Sequence, residues 1–222
     1  MASHLDLEEQ EKIDELKHFW QRYGDWITWT VTALMLAYAG WKGWDYWQQR
    51  QAVQAAALYD VVERAAASND LNLLERSVSD IEKQFGRTTQ AQQAALLSAR
   101  LFLEGGQPER ARQHWQWVID NGQDPAYQAL ARLRLAGQLI QEKSLDEARK
   151  VLTATSPEAF APLLADRLGD LEMLQGQADA AKQQYLKAWR GLDPQAEYRR
   201  LVAVKLAALG ADPEANEAEV RK

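Results

Sequence analysis

The 222-residue chain contains no cysteine, which excludes disulfides, thiolate nucleophiles and cysteine-ligated metal sites. Glycine and proline are scarce too, at 12 and 6 residues, so few positions favour a turn over regular structure. Alanine, leucine and glutamine are abundant instead, and all three favour helix formation. The composition therefore predicts a protein that is helical almost throughout.

The charge distribution lacks the basic surplus that nucleic-acid binding needs. Lysine and arginine number 26 against 32 aspartates and glutamates, which gives a formal net charge of −6. A nucleic-acid binder would present a basic face to the phosphates, so this class of protein is excluded. Residues 1–25 are strongly acidic, and apolar residues recur among their charges. Either a short amphipathic helix or a solvated leader accounts for that segment.

Motifs of catalysis and metal binding are missing from the sequence as well. It contains no HExxH motif, no phosphate-binding loop and no GxSxG elbow. His4, His18 and His114 are scattered, and we expect His114 at the surface or boundary of a helix. Asp166 and Asp170 are one helical turn apart, where two carboxylates can share a proton in a cleft, although a solvated helix face is the default interpretation. The sequence predicts a protein that is not an enzyme and that holds neither metal nor cofactor.

Residues 26–47, WITWTVTALMLAYAGWKGWDYW, form the longest hydrophobic segment. As a helix its uncharged part, residues 26–41, would span about 24 Å and the whole segment about 33 Å. Six of the nine tryptophans fall within residues 20–47, at both ends of the segment, as in the aromatic belts at membrane surfaces. We therefore predict a transmembrane helix over residues 26–47, in contact with the lipid bilayer. Small residues spaced four apart could pack it against a second membrane helix; they are Ala33, Ala37, Ala39 and Gly43.

Two alternatives to this transmembrane helix are a buried core helix and a cleaved signal peptide. A core helix would not require tryptophans at both ends. The small-x-small pattern at residues 37–39 is typical of a signal cleavage site, but the segment before it is acidic and long rather than short and basic. Three basic residues precede the segment and Lys42 and Arg50 follow closely, which slightly favours a cytoplasmic N-terminus.

Three helix–turn–helix repeats follow, over residues 92–121, 129–158 and 162–191. In each, an alanine at the start of the second helix is expected where the two helices cross most closely, and a large apolar residue follows four positions later. The alanines are Ala111, Ala148 and Ala181, and the large residues are Trp115, Leu152 and Tyr185. The alanines are separated by 37 and 33 residues, close to the period of about 34 that tetratricopeptide repeats show. Gly106 and Gly176 mark the turns, and Lys143 replaces this glycine in the middle repeat.

Helical periodicity extends beyond these three repeats on both sides. Residues 55–85 indicate a degenerate first hairpin with its turn at residues 68–70, and residues 195–209 a terminal helix that covers the last repeat. The predicted fold is all-α, with one N-terminal transmembrane helix followed by a tetratricopeptide-like α-solenoid of helical hairpins. The predicted segments are an acidic N-terminal one at 1–25, the transmembrane helix at 26–47, the repeat domain at 48–209 and a polar tail at 210–222.

A protein-binding groove in such an array would be lined by the first helix of each hairpin. The repeat register gives nine candidate groove residues: Leu96, Arg100, Leu103, Glu104, Leu133, Ile140, Asp166, Asp170 and Met173. Their mixed apolar and charged character suits an extended peptide or a partner helix.

Four segments occur in order along the chain: LKHFWQRYGDW, GWKGWDYW, LRLAGQLIQEKSLDEARKVL and ADRLGDLEMLQGQADAAKQQYLKAW. Together with the acidic start and the repeats, they resemble the YfgM family of ancillary subunits of the SecYEG translocon. The resemblance covers nearly the whole chain. It implies a bacterial inner-membrane protein with a cytoplasmic N-terminus and a periplasmic repeat domain. It also implies association with SecYEG and the periplasmic chaperone PpiD in handling unfolded, newly translocated polypeptides, and it brings no catalytic residues. An envelope scaffold that organises division or cell-wall machinery is the alternative function.

Overall fold

The computed structural model describes the backbone of residues 7–211 and 213, and the side chains of residues 12–211 and 213. All regular structure in this part of the chain is helical, as the composition predicts. His4 and nearly all of the predicted polar tail lie outside the described residues. The chain divides into two compact units, Met1–Gln51 and Ala52–Lys222.

The first unit contains the N-terminal part of a long helix, α1, which runs from Leu7 to Ala67. Most large apolar side chains of this part are exposed; among them are Trp26, Trp29, Leu34, Met35, Leu36, Trp41 and Trp44. In the part of the chain that the structure describes, no helix combines the length and the apolar character that crossing a membrane requires. The predicted transmembrane helix over residues 26–47 is therefore not confirmed.

The second unit contains the end of α1, from Ala52, and eight further α-helices among the described residues. They are α2 Leu71–Phe85, α3 Thr89–Glu104, α4 Pro108–Asn121, α5 Pro125–Gln141, α6 Leu145–Thr153, α7 Ala161–Leu174, α8 Ala178–Gly191 and α9 Glu197–Ala208. A short 3-10 helix, Glu158–Phe160, precedes α7. The helices form four successive hairpins, α1–α2, α3–α4, α5–α6 and α7–α8, followed by α9. The predicted all-α repeat architecture is confirmed.

The third hairpin departs from the prediction, because its second helix ends at Thr153 rather than near residue 158. Pro157 has no N–H to donate to the carbonyl of Thr153, and its ring disfavours helical backbone at the preceding residue. The sequence from Ala154 to Pro157 is therefore a connection rather than a continuation of α6.

Side-chain caps and prolines determine where several helices begin. The Asp70 carboxylate accepts hydrogen bonds from the N–H groups of Asn72 and Leu73, at 3.1 and 2.9 Å, and so caps α2. Asp124 caps α5 by accepting from the N–H of Ala126 at 2.8 Å. Helices α4 and α5 each start with a proline, whose missing N–H has no intrahelical partner at that position in any case.

The first helix of each hairpin ends with the same backbone motif. The second residue after each helix has a left-handed backbone, with φ between 52° and 74°. The N–H of the residue that follows it donates to the carbonyl five residues earlier, at 2.8–3.0 Å. The left-handed residues are Asn69, Gly106, Lys143 and Gly176, and Gly210 has the same role after α9. This Schellman motif satisfies carbonyls that the helix leaves free. The turns expected at residues 68–70, at the two glycines and at Lys143 are confirmed.

The alanines at the start of the second helices are in the core of the second unit. Ala111, Ala148 and Ala181 are fully buried, and the large residues four positions later are nearly so. Burying this apolar surface is the main favourable contribution to packing each hairpin. The repeat register predicted from the sequence is therefore correct at all three hairpins.

Candidate protein-binding surface

Most of the nine predicted groove residues occupy three equivalent positions along the first helices. Counted back from the left-handed residue, Leu96, Leu133 and Asp166 are ten residues away, and Arg100 and Asp170 are six. Leu103, Ile140 and Met173 are three residues away, and Glu104 is beside Leu103. Leu103, Glu104, Arg100 and Met173 are exposed, whereas Leu96, Leu133, Ile140 and Asp170 are half-buried. The structure thus places apolar and charged side chains in rows along α3, α5 and α7.

Asp166 does not belong to an open surface, because it is fully buried beneath α9. Its carboxylate accepts from Lys205 Nζ at 2.8 and 2.9 Å and from the Tyr198 hydroxyl at 2.6 Å. The same ammonium lies 2.6 Å from Asp170 Oδ1, which also accepts from the Tyr185 hydroxyl at 2.9 Å. The expectation of a solvated face, and the groove role of Asp166, are therefore wrong. The sequence shows the carboxylates but not the cation 39 residues later that neutralises them.

The two tyrosines of this network have raised pKa values. Burial, followed by the hydrogen bond to Asp170, raises the pKa of the Tyr185 hydroxyl above its ordinary value. Burial and the hydrogen bond to Asp166 do the same for the pKa of Tyr198. Both hydroxyls remain protonated donors at neutral pH, so the network joins α7, α8 and α9.

His114 is buried, although a surface or boundary position was expected. Its ring stacks on Phe102 with centroids 5.5 Å apart, and Nδ1 lies 3.1 Å from Glu82 Oε1. These contacts join α4 to α3 and α2. Glu82 is 32 residues away along the chain, so no local sequence pattern indicates this pair. Within the described residues, no cluster of histidine and acidic side chains could hold a metal ion.

A groove between α4 and α6 is a feature that the sequence did not reveal. Its volume is about 610 Å³ and its floor is formed by Leu135 and Leu139 of α5. The walls are Glu109, Arg112, Gln113 and Gln116 from α4 and Glu147, Lys150 and Val151 from α6. Arg112 is engaged with Glu142, at 3.1 Å. The groove combines an apolar floor with walls of both charges, which suits a peptide segment better than a strongly charged ligand.

The predicted small-residue face in the first unit is exposed but divided. Ala33, Ala37, Ala39 and Gly43 are all exposed in the described structure. At about 100° per residue, the centre of the pair Ala33–Ala37 is about 120° from the centre of the pair Ala39–Gly43 around α1. They form two narrow faces rather than one. A β-carbon added at Gly43 would meet no atom within 4 Å.

A family model described as a tetratricopeptide repeat-like domain matches residues 17–211. The chain belongs to this family. Tetratricopeptide-like arrays bury a core between stacked hairpins and present extended surfaces to other proteins, so this fold serves protein interaction rather than catalysis.

Relatives of the chain are named ancillary SecYEG translocon subunits. The protein from Neisseria gonorrhoeae is 32% identical over 94% of this chain and 100% of its own length. The protein from Haemophilus influenzae is 28% identical over 82% of this chain and 89% of its own length. The protein from Escherichia coli is 23% identical over 78% of this chain and 84% of its own length. The resemblance drawn from the sequence is confirmed, and this member of the tetratricopeptide repeat-like family matches those relatives over most of their length.

Proposed function

We propose that this protein is a membrane-anchored interaction module, accessory to the SecYEG translocon, that assists newly translocated polypeptides. The observation that carries the proposal is the 32% identity to a relative that is matched over its whole length and named as a translocon subunit. The stacked hairpins of residues 52–211 support it, because arrays of this kind bind proteins along extended surfaces.

In this proposal, residues 26–47 anchor the chain in the bacterial inner membrane. Tryptophans at both ends of the segment are exposed, which is the arrangement of interfacial indoles. Cations lie close to aromatic rings at the second end: Lys42 Nζ is 5.6 Å from the Trp41 ring centroid, and the Arg50 guanidinium carbon is 5.2 Å from that of Tyr46. The exposed pairs Ala33–Ala37 and Ala39–Gly43 are proposed to contact membrane helices of partners. The N-terminus is assigned to the cytoplasm and the repeat unit to the periplasm.

The repeat unit is proposed to contact the chaperone PpiD and unfolded client polypeptides. Leu103 and Met173 offer exposed apolar contacts in equivalent positions of α3 and α7, with Arg100 and Glu104 one turn or less from Leu103. The groove between α4 and α6 is a second place for an extended segment. Two modest contacts, one from the anchor and one from the repeat unit, would give avidity without either being tight.

Purification of the tagged full-length protein from its own bacterium in a mild detergent tests the proposal. SecY should co-purify, and replacing residues 26–47 by an unrelated transmembrane helix should weaken the association while the repeat unit remains folded. Recovery of division or cell-wall proteins without any translocon subunit would contradict it and favour the envelope scaffold. Extraction with alkaline carbonate checks the anchor, since the proposal requires the protein to stay with the membrane pellet.

A further inference from the structure

The last described helix of the array, α9, ends in the same way as the first helix of each hairpin. The N–H of Ala211 donates to the carbonyl of Leu206 at 3.0 Å around left-handed Gly210. The second helices α2, α4, α6 and α8 end without a left-handed residue. The left-handed residue at its end therefore makes α9 equivalent to the first helix of a fifth hairpin.

On α3 and α7, the face toward the next first helix contacts that helix. On α7 this face carries Asp166, ten residues before the left-handed position, and it is buried against Tyr198 and Lys205 of α9. On α3 the same face carries Gln93, whose side-chain amide donates to the Tyr127 hydroxyl of α5 at 2.8 Å. In both places the next first helix makes polar contacts with this face.

The corresponding face of α9 is exposed in the described structure. Arg200 and Val204 occupy the ten- and six-residue positions, and Leu201 is beside them. Leu201 is 48% and Val204 66% exposed. The ends of soluble arrays are ordinarily closed by a polar outer face, so two large aliphatic side chains here are unusual. We infer that Arg200, Leu201 and Val204 bind an amphipathic helix of another protein, which stacks as the next first helix and places an acidic side chain against Arg200.

Charge complementarity selects this occupant. Where α9 packs on α7, Asp166 and Asp170 of α7 contact Lys205 of α9. The ten-residue position carries an acid, Asp166, on α7 but a base, Arg200, on α9. The charge on this face is therefore reversed, and a helix that packs on α9 must supply the acidic side chain. This binding site goes beyond translocon association and does not depend on which protein carries the helix.

Site-specific photo-crosslinking in the full-length membrane-bound protein tests the inference. The crosslinker p-benzoylphenylalanine replaces Val204 in one variant and Gln183, an exposed residue of α8, in the control. The expected result is a crosslink from position 204, absent from position 183, to a segment of another protein that is amphipathic and contains an acidic residue. Adding Arg200→Glu should reduce the crosslink by about tenfold, and changing the partner's acid to lysine should restore it.

Each other outcome overturns the inference. A crosslink only to a second copy, only to lipid, or only to residues 212–222 of the same chain would mean that something else covers α9. A crosslink to another protein that survives Arg200→Glu unchanged would mean that the charge contact is absent. Equal products from positions 204 and 183 would mean that the face is not a binding site. Whether SecY co-purifies is a separate result, so the proposed function can fail or hold independently.

Discussion

Gly169 of α7 lies against the aromatic ring of Tyr185 of α8, where the two helices of the fourth hairpin cross. A β-carbon added at Gly169 would fall inside van der Waals contact of three ring carbons. The Tyr185 ring is buried, and its hydroxyl is held by Asp170 at 2.9 Å, so the ring is restrained on both sides. The close approach of these two helices therefore requires glycine at this position.

Replacing Gly169 by alanine should destabilise the protein by about 1–3 kcal/mol, because the crossing becomes overpacked. Gly137 is the matched control, since it is also inside a first helix but a β-carbon there meets no atom within 4 Å. Gly137→Ala should stabilise by about 0.5–1 kcal/mol through helix propensity. Urea unfolding measures both variants. The same sign of change for both substitutions would contradict the crossing.

Lys143 is left-handed, with φ of 62°, at the position where two other hairpins have glycine. A lysine in this conformation is strained by about 1–2 kcal/mol, and a glycine would remove that strain. Part of the gain in stability is offset because glycine makes the unfolded chain more flexible. Lys143→Gly should therefore raise the free energy of unfolding by about 0.5–1 kcal/mol.

Gly106→Lys is the reciprocal variant for this test. Its φ is 73° and no atom lies within 4 Å of an added β-carbon, so the backbone alone should destabilise it. Thermal unfolding compares the two substitutions. A stabilising Gly106→Lys would show that backbone strain does not govern these turns.

The fold could be predicted from the sequence because its determinants are local. Ala148 and Leu152 are four residues apart on one helix, and Gly106 and Gly176 indicate the turns in which they lie. The positions of the candidate groove residues along the first helices could be predicted, but their burial could not, because burial depends on residues that are distant in the sequence. Asp166 is covered by Lys205, 39 residues later, and no pattern around Asp166 reveals it. The floor of the groove between α4 and α6 likewise comes from a third helix.

Glu172 of α7 receives two hydrogen bonds from Arg149 of α6, at 2.6 and 3.1 Å. These bonds hold the pKa of Glu172 below its ordinary value of 4.5. A depressed folded pKa contributes stability that is present above the ordinary value and is lost as the pH falls through the lowered one. The free energy of unfolding should therefore fall on acidification below about pH 4.5. Glu172→Gln should cost about 1–2 kcal/mol at pH 7.

The control compares how steeply the free energy of unfolding falls with pH in Glu172→Gln and in the unsubstituted protein. Urea unfolding at pH 7, 5, 4 and 3 should give a smaller acid loss for Glu172→Gln than for the unsubstituted protein, because the titrating group is gone. Identical losses in both would show that other carboxylates account for the acid sensitivity.

Lys205 neutralises two carboxylates, of which Asp166 has no exposed surface. Lys205→Met keeps much of the apolar stem but leaves both charges without their cation. We expect a loss of about 3–5 kcal/mol, the usual cost of breaking a buried pair from one side. Lys187→Met, at an exposed position of α8, should change stability by less than about 0.5 kcal/mol.

Removing the charges as well as the cation separates the electrostatic effect from a packing effect. Adding Asp166→Asn and Asp170→Asn to Lys205→Met should recover part of the lost stability, because no unpaired charge then remains beneath α9. Amide hydrogen exchange should show weakened protection of α9 in the single variant and partial recovery in the triple variant, since this network holds α9 on α7. If the triple variant were less stable than Lys205→Met alone, the carboxylates would be stabilising α9 through contacts other than the ammonium.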